Sequence, residues 1–250
     1  MTDKSLSSLA RMLSVLDLFT EKQAVWSAEA IAEALDVSIP TSYRYVKLLV
    51  ESGLLQRSAE SQFRLGPRII TLDHFIRTSD PVLQHAMPFM QELVEKTGFD
   101  CVITGLYGPQ LIDTHREHGK NPADLSYGRG RPRPLFLGAA PKVIFSCYAP
   151  NVLHKLFDQH QAEIANAGLP TSWPEFRKYF SHIRKAGHYV SHGELESNLG
   201  ALAAPMQKAD GTILGAISLV TTVPRMAVID LDKLAELVMR AAHDITARVP

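Results

Sequence analysis

The sequence predicts an α+β protein whose first part is a winged helix-turn-helix. Two short helical patterns joined by a tight turn precede a predicted hairpin within residues 1–66. After residue 98 the apolar period changes from about 3.6 residues to about 2, which indicates strands. The chain has 250 residues, of which 46% are hydrophobic, so it is long enough for two cores.

Composition excludes several classes of protein. No apolar run reaches the ~18 residues that cross a bilayer, and no signal peptide is evident, so we expect a cytoplasmic protein that does not bind membranes. The two cysteines, Cys101 and Cys147, are too few for a disulfide framework, and their apolar surroundings predict buried, unreactive thiols. No Gly-x-Ser-x-Gly or phosphate-loop motif occurs, so we expect neither catalytic residues nor a cofactor.

Residues 5–20 have the spacing of an amphipathic helix. One apolar row consists of Leu6, Leu9, Leu13 and Leu16, and a second row consists of Met12, Val15 and Phe19. Two explanations for so wide an apolar face stay open at this point. The helix is buried entirely in its own domain, or it keeps one row for a second copy of the chain.

Ser27 is a good N-cap for the second helix, whose apolar stripe is Ile31, Ala34 and Leu35. Ser38 is predicted to cap a third helix that carries Pro40 in its first turn and ends at Gly53. The inward side chains of that helix are predicted to be Tyr45, Leu48, Leu49 and Val46. Its outward side chains are predicted to be Thr41, Ser42, Arg44 and Lys47.

Residues 54–57 and 62–65 form two short predicted strands around a polar turn, which is a hairpin wing. The chain has no net charge, yet residues 37–68 carry five basic and two acidic side chains, whereas residues 1–36 carry three basic and six acidic ones. Basic charge on a helix-turn-helix and its wing favours DNA binding over a merely solvated surface. The predicted contacts are Thr41, Ser42, Tyr43, Arg44 and Lys47 in the major groove and Arg57, Gln62 and Arg64 from the wing.

The remaining chain alternates helical and strand patterns. A helical connector over 67–79 leads to a helix over 81–97 with Asp80 as its cap. The pattern then predicts strands at 101–107, 110–115, 189–192, 199–206 and 213–221, helices at 138–148, 151–159, 172–186 and 229–247, and a loop at 119–134. Antiparallel strands with helices on their faces make an α+β domain.

An ordered set of motifs, residues 11–18, 30–35, 41–46, 53–55 and 63–68, resembles the winged helix of IclR-type transcriptional regulators. The likeness extends over nearly all of the chain. It implies a DNA-binding domain at 1–66, a helical linker at 67–79 and a GAF-like effector-binding domain with an antiparallel sheet at 80–250. Family members often have Lys-Ser where this chain has Ile39-Pro40, so a phosphate contact is expected to be missing.

Carried over by aligned position, the family pocket consists of Leu125, Leu135, Ala139, Ala140, Ser191, Ala201 and Ser218. The resemblance implies that Ser191 replaces a common acidic residue and that Ala201 replaces a common cysteine. The pocket is therefore expected to be roomier and less acidic, which suits an aromatic carboxylic acid. The small residues at the start of the predicted helix at 138–148 would let a ligand approach main-chain N–H groups.

The resemblance therefore implies a ligand-responsive regulator of a catabolic operon. Its expected partners are a double-stranded DNA operator, a small carboxylic acid and further copies of the chain, as a homodimer or a dimer of dimers. An alternative of another class is a metal-dependent enzyme or metal sensor that uses His188, His192 and Glu194. Histidines at such spacings, including His115 and His118, are more often ordinary surface or core residues, so no metal site is predicted.

Overall fold

The computed structural model describes residues 7–58, 61–123, 125 and 128–250. The chain divides into two compact units, Met1–Ser79 and Asp80–Pro250. Among the described residues, no helix is long and apolar enough to cross a membrane.

The first unit is a helix-turn-helix followed by a hairpin. Its helices are α1 (Ser8–Leu13), α2 (Ala28–Ala34), α3 (Ile39–Glu51) and α4 (Pro67–Ser79), and its strands are β1 (Trp26–Ser27), β2 (Leu55–Arg57) and β3 (Gln62–Leu65). The strands pair antiparallel in the order β1-β3-β2. The core between helices and hairpin consists of Val15, Ala28, Ile31, Leu35, Tyr45, Val46, Leu49, Leu55 and Phe63.

The first helix is shorter than the predicted span of 5–20, of which residues 5 and 6 lie outside the described part. Helix α1 stops at Leu13, and a 3-10 turn at Leu16–Leu18 follows. Ser14 is the C-cap: its amide makes a regular helical hydrogen bond to the Ala10 carbonyl, and its Oγ donates to the same oxygen. The break lets Val15 enter the core completely, while Leu9 and Leu13 stay 72% and 53% exposed.

The wing closes on α3 through Gly66. Its amide donates to the Leu54 carbonyl at 2.7 Å. A Cβ at Gly66 would lie 2.2 Å from the Gly53 carbonyl oxygen, so the approach of the two chain segments requires glycine. The connector α4 begins at the next residue.

The second unit is one antiparallel sheet with helices on both faces. Its helices are α5 (Pro81–Thr97), α6 (Ala139–Ser146), α7 (Pro150–Gln159), α8 (Gln161–Asn166), α9 (Trp173–Ala186), α10 (Val223–Met226) and α11 (Leu231–Arg248). Its strands are β4 (Asp100–Tyr107), β5 (Gln110–Glu117), β6 (Pro132–Arg133), β7 (Tyr189–His192), β8 (Leu199–Gln207) and β9 (Ile213–Thr222). They lie in the order β6-β5-β4-β9-β8-β7.

The sheet separates two hydrophobic cores. Helices α5 and α11 cover one face, where Met90, Cys101 and Leu219 are buried. Helix α6 covers the other face, where Phe145, Phe176 and Ala203 are buried together with residues of α7 and α9. The predicted α+β class, with an N-terminal helix-turn-helix and an antiparallel sheet in the second part, is confirmed.

Short elements were missing from the sequence prediction. Strands β1 and β6 have two residues each, and α8 and α10 have six and four. Segments of two to six residues hold fewer than two periods, which is too little for a repeating pattern to stand out. Strand β6 forms inside the predicted loop because Pro132 and Arg133 pair with Ile112 and Leu111 at the sheet edge, where proline is tolerated.

Candidate functional site

Helix α3 is held against α2 by Ser42. The side chain of Ser42 is completely buried, and its Oγ donates to the Ala28 carbonyl at 2.6 Å. The prediction that Ser42 faces outward and contacts DNA is therefore wrong. Its small hydroxyl fits between two helices and finds an acceptor there. Leu48 was also assigned to the wrong side, since it is 46% exposed.

The other predicted positions of α3 lie on its accessible side. Tyr43, Arg44 and Lys47 are exposed, and Thr41 is partly exposed. The Thr41 hydroxyl lies 2.9 Å from the Ser38 hydroxyl, so Ser38 stands at the cap position without capping the main chain. Lys47 is 75% exposed and lies 3.8 Å from Glu51, which leaves its ammonium free to meet another anion.

A carboxylate restrains the tyrosine on this surface. The Tyr43 hydroxyl donates to Glu29 Oε1 at 2.7 Å. This hydrogen bond raises the pKa of Tyr43 and lowers the pKa of Glu29. Both residues are solvent-accessible, so the pair orients the ring of Tyr43 next to Arg44 and contributes little to stability.

The wing presents basic side chains on both of its strands. In the antiparallel pairing, Gln56 lies opposite Arg64 and Arg57 lies opposite Phe63. The guanidinium carbon of Arg57 lies 5.9 Å from the centroid of the Phe63 ring, a cation–π distance. Gln62 and Arg64 are exposed. Residues 59 and 60, in the predicted turn, lie outside the described residues.

The second unit contains a pocket at one side of its sheet. Its lining residues surround about 430 Å³ of space, open solvent included, so it is a partly open cleft rather than an enclosed cavity. Its walls are mostly apolar, with a few polar groups. The lining residues are Val102, Asp113, Leu125, Arg133, Gly138, Ser191, Leu195, Glu196, Leu199, Gly200, Ala201 and Val220.

Three of the predicted pocket residues, Leu125, Ser191 and Ala201, line this pocket. The other four do not. Ala139 and Ala140 are buried in the core under α6, and Leu135 packs against that core. The Ser218 side chain is buried and its hydroxyl lies 3.4 Å from the Val102 carbonyl.

The polar groups of the pocket differ from the expectation. The amide of Gly138, at the start of α6, donates to Glu194 Oε2 at 3.0 Å and is already satisfied. The pocket is also not depleted of acidic residues, because Asp113 and Glu196 line it. Sequence reasoning missed Arg133, which brings a guanidinium to the same wall. Its signal was the arginine-rich segment 128–134, which carried no indication of which arginine turns inward.

Asp113 and Arg133 form a buried ion pair. Arg133 Nη1 lies 3.0 and 3.1 Å from the two carboxylate oxygens of Asp113. The side chains of Arg133 and Asp113 are 10% and 4% exposed. Thr104 donates to Oδ1 of the same carboxylate at 2.8 Å, which fixes its orientation. In the pairing of β5 with β6, Arg133 lies opposite Leu111, so Asp113, two residues further along β5, is its diagonal neighbour.

A second buried pair lies next to the pocket. The Lys142 ammonium, on a side chain only 3% exposed, contacts Glu194 and lies 4.7 Å from the centroid of the Tyr189 ring. Tyr189 donates to Glu194 Oε1 at 2.9 Å and accepts from Tyr179 at 3.0 Å. Burial lowers the pKa of Lys142, and contact with Glu194 opposes that shift. The network ties the start of α6 to the turn after β7.

The residues of the metal alternative are engaged elsewhere. The oxygens of Glu194 accept from Lys142, Tyr189 and Gly138. His188 lies before β7 and its Nδ1 is 3.1 Å from the Ala186 carbonyl, so it does not share a strand face with His192. Within residues 7–58, 61–123, 125 and 128–250, no three His, Cys, Asp or Glu side chains are grouped to hold a metal ion.

The cysteines differ from each other. Cys101 is completely buried, and burial raises the pKa of its thiol. Cys147 is only partly buried, which corrects the expectation, and burial raises its pKa as well. A raised pKa keeps both as thiols near neutral pH.

Comparison with known protein families decides the class of the chain. The model of the bacterial transcriptional regulator IclR C-terminal domain matches residues 74–247, and the model of the IclR helix-turn-helix domain matches residues 8–59. The chain belongs to the IclR family. It is thus a bacterial-type transcriptional regulator with a helix-turn-helix and a C-terminal effector domain, as the motifs predicted.

Similar IclR-family proteins span nearly the whole chain. The HTH-type transcriptional regulator XynR of Escherichia coli is 24% identical over 238 residues, which are 94% of each chain. The Pca regulon regulatory protein of Pseudomonas putida is 21% identical and aligns over 96% of this chain and 83% of its own. A crystal structure of an IclR homologue from Microbacterium hydrocarbonoxydans, complexed with 4-hydroxybenzoate, has a TM-score of 0.79, 20% identity and coverage of 97% and 99%.

Proposed function

We propose that this IclR-family chain binds operator DNA through residues 1–66 and changes its operator affinity when a small carboxylic acid of aromatic size binds in the second unit. The observation that carries the DNA half is the surface of α3 and the wing, where basic side chains are exposed on a helix-turn-helix. The pocket with apolar walls and a buried cation carries the ligand half. The connector 67–79 joins the two parts, and 80–250 acts as the effector domain.

In this proposal the recognition helix α3 enters the major groove with Thr41, Tyr43, Arg44 and Lys47. The hydroxyls, the Lys47 ammonium and the Arg44 guanidinium meet phosphates or base edges. Arg57, Gln62 and Arg64 of the wing contact phosphates or the minor groove. Ser42 has no part in this interface, because its side chain holds α3 onto α2.

We expect Arg44→Ala to weaken binding to the promoter region of the chain's own gene and to flatten its salt dependence. Removal of one phosphate contact reduces the slope of log K against log salt by about 0.9. Fluorescence anisotropy at several salt concentrations measures both. The matched control is Arg177→Ala, an exposed arginine of α9 in the second unit, which should leave affinity and slope unchanged. Unchanged affinity in Arg44→Ala would remove α3 from the interface.

The proposed assembly is a homodimer or a dimer of dimers. A single winged helix offers few contacts, whereas two copies can read half-sites about 34 Å apart. Two apolar rows are exposed in the single chain and suit burial against another copy: Leu9 and Leu13 of α1, and Ile70, Leu72, Phe75 and Ile76 of α4. Light scattering of the purified chain tests this, and a monomer at the concentrations that bind DNA would contradict it.

The proposed effector is an aromatic carboxylic acid that regulates a catabolic operon. The apolar walls of the pocket and the buried cation of Arg133 support it, as does the 4-hydroxybenzoate held by the Microbacterium homologue. A thermal-shift screen of aromatic and aliphatic acids should find a ligand, since binding to the folded state alone adds about 2.7 kcal/mol at a hundredfold excess over Kd. The ligand should then change operator affinity. If the chain binds DNA but no acid changes its operator affinity, the proposed effector is contradicted and the proposed DNA binding is not.

A further inference from the structure

Arg133 brings a positive charge into the pocket. Among the described lining residues it is the basic one, and its side chain is nine-tenths buried. Its hydrogen bonds to Asp113 all pass through Nη1, at 3.0 and 3.1 Å. The guanidinium therefore uses one of its three nitrogens for the ion pair.

The opposite edge of the guanidinium, Nε and Nη2, takes no part in the ion pair. Nε is buried and has no acceptor within hydrogen-bond distance in the part of the chain that the structure describes. Nη2 points towards another part of the pocket wall, since a Cβ built on Gly138 would lie 3.6 Å from it. Nε–H and the adjacent Nη2–H are parallel and form the fork that matches both oxygens of a carboxylate.

An unpartnered donor of a charged group is costly to bury, so the empty fork favours an acceptor brought by a ligand. Asp113 does not supply it, because its oxygens already accept from Arg133 Nη1 and Thr104. Lys142, the buried cation nearby, is occupied by Glu194. The pocket thus offers one planar, bidentate donor pair and apolar walls.

We propose that Arg133 selects effectors that carry a carboxylate. Its Nε/Nη2 fork binds the carboxylate of the ligand while Nη1 stays hydrogen-bonded to Asp113. The proposal rests on the proposed function of this pocket as the effector site. It also explains selectivity. A carboxamide of the same shape replaces one acceptor oxygen by an NH2 donor that faces the N–H groups of the fork. The acid is accepted and the amide is rejected.

The test uses calorimetric titration of the full chain with 4-hydroxybenzoate, benzoate and phenylacetate, each beside its carboxamide. We expect the wild type to bind at least one acid roughly tenfold more tightly than its amide, as expected for a charge-assisted pair. Arg133→Lys keeps the charge beside Asp113 and removes the fork. It should lower the affinity for that acid about tenfold, leave the amide nearly unchanged and so abolish the preference.

Two further variants separate this role from folding. Arg184→Lys removes a fork that donates to the Ser146 and Tyr148 carbonyls outside the pocket, and it should keep the preference for the acid. Arg133→Gln combined with Asp113→Asn removes both charges without leaving one buried alone, and it should fold but show no preference.

Three results would overturn the proposal: equal binding of acid and amide by the wild type, an acid preference that survives in Arg133→Lys, or no binding of any acid at millimolar concentration. Inorganic phosphate that competes with the acid and binds more tightly would also overturn it, because the site would then read a different anion. The affinity of the ligand-free wild type for promoter DNA separates this proposal from the proposed function. A wild type that does not bind promoter DNA contradicts the proposed function, whatever its preference between acid and amide.

Discussion

Replacement of Glu194 by alanine is expected to lower the free energy of unfolding of the second unit by about 3–5 kcal/mol, the usual cost of leaving a buried charge without its partner. Lys142 has a side chain only 3% exposed, with Glu194 as its counter-ion. The same substitution removes the acceptor of the Gly138 amide at the edge of the pocket. A second donor is then left without its acceptor, which adds to the cost.

Denaturation followed by Trp173 fluorescence in a Trp26→Phe background measures this effect, because those are the two tryptophans of the chain. Trp173 packs against the core under α6, the helix that carries Lys142. Adding Lys142→Met to Glu194→Ala should restore much of the stability, since no buried charge then remains. Glu92→Ala, which breaks an exposed pair with Lys96, is the matched control and should change little.

The loss of unfolding free energy caused by Glu194→Ala should also depend on pH. Burial already lowers the pKa of Lys142 in the folded chain below the 10.5 of an ordinary lysine, and loss of Glu194 lowers it further. Between the lowered pKa of Lys142 and pH 10.5, the unfolded chain then binds more protons than the folded chain. The free energy of unfolding therefore rises with pH across that window. Burial raises the pKa of Tyr189, so this residue opposes the trend once the unfolded tyrosine begins to lose its proton near pH 10, and the comparison is made below that pH. A deficit that stays constant from neutral pH upwards would contradict the assignment to Lys142.

A Gly-Gly-Ser insertion after Thr78 is expected to abolish the effect of the ligand on operator affinity while ligand affinity stays near the wild-type value. Thr78 lies in the last turn of α4, the helix that connects the helix-turn-helix and wing to the second unit along the chain. Two recognition helices must keep a spacing of about 34 Å, and a helix transmits a change of angle that a flexible segment absorbs. The ligand needs only to bind the two arrangements differently.

Operator affinity with and without ligand, measured by anisotropy, gives the coupling factor, and calorimetry gives the ligand affinity. The same three residues inserted after Thr171, in the exposed loop between α8 and α9, serve as the control and should preserve coupling. If the variant with the insertion after Thr78 still changes its operator affinity by the wild-type factor, coupling runs through contacts between subunits rather than through α4.

Local patterns predicted the elements of the chain well where they were long. The connector was expected at 67–79 and is Pro67–Ser79, and the strand expected at 213–221 is Ile213–Thr222. Period and capping residues carry this information, because hydrogen bonds within a helix and the alternation of a strand act over few residues. The same patterns failed after Leu13, where the helix ends and a separate 3-10 turn follows.

The sequence by itself determined the order of the elements, the family and the basic character of α3 and the wing, because these depend on periodicity and on motifs read along the chain. Only the tertiary structure decided which polar residues are available. Ser42 turned inward because the Ala28 carbonyl is within its reach, and Arg133 became the cation of the pocket because β6 lies beside β5 and Asp113. Each outcome depends on a partner 14 or 20 residues away. Such a pairing forms only when the folded chain brings the two residues together, so a pattern of neighbouring residues in the sequence does not reveal it.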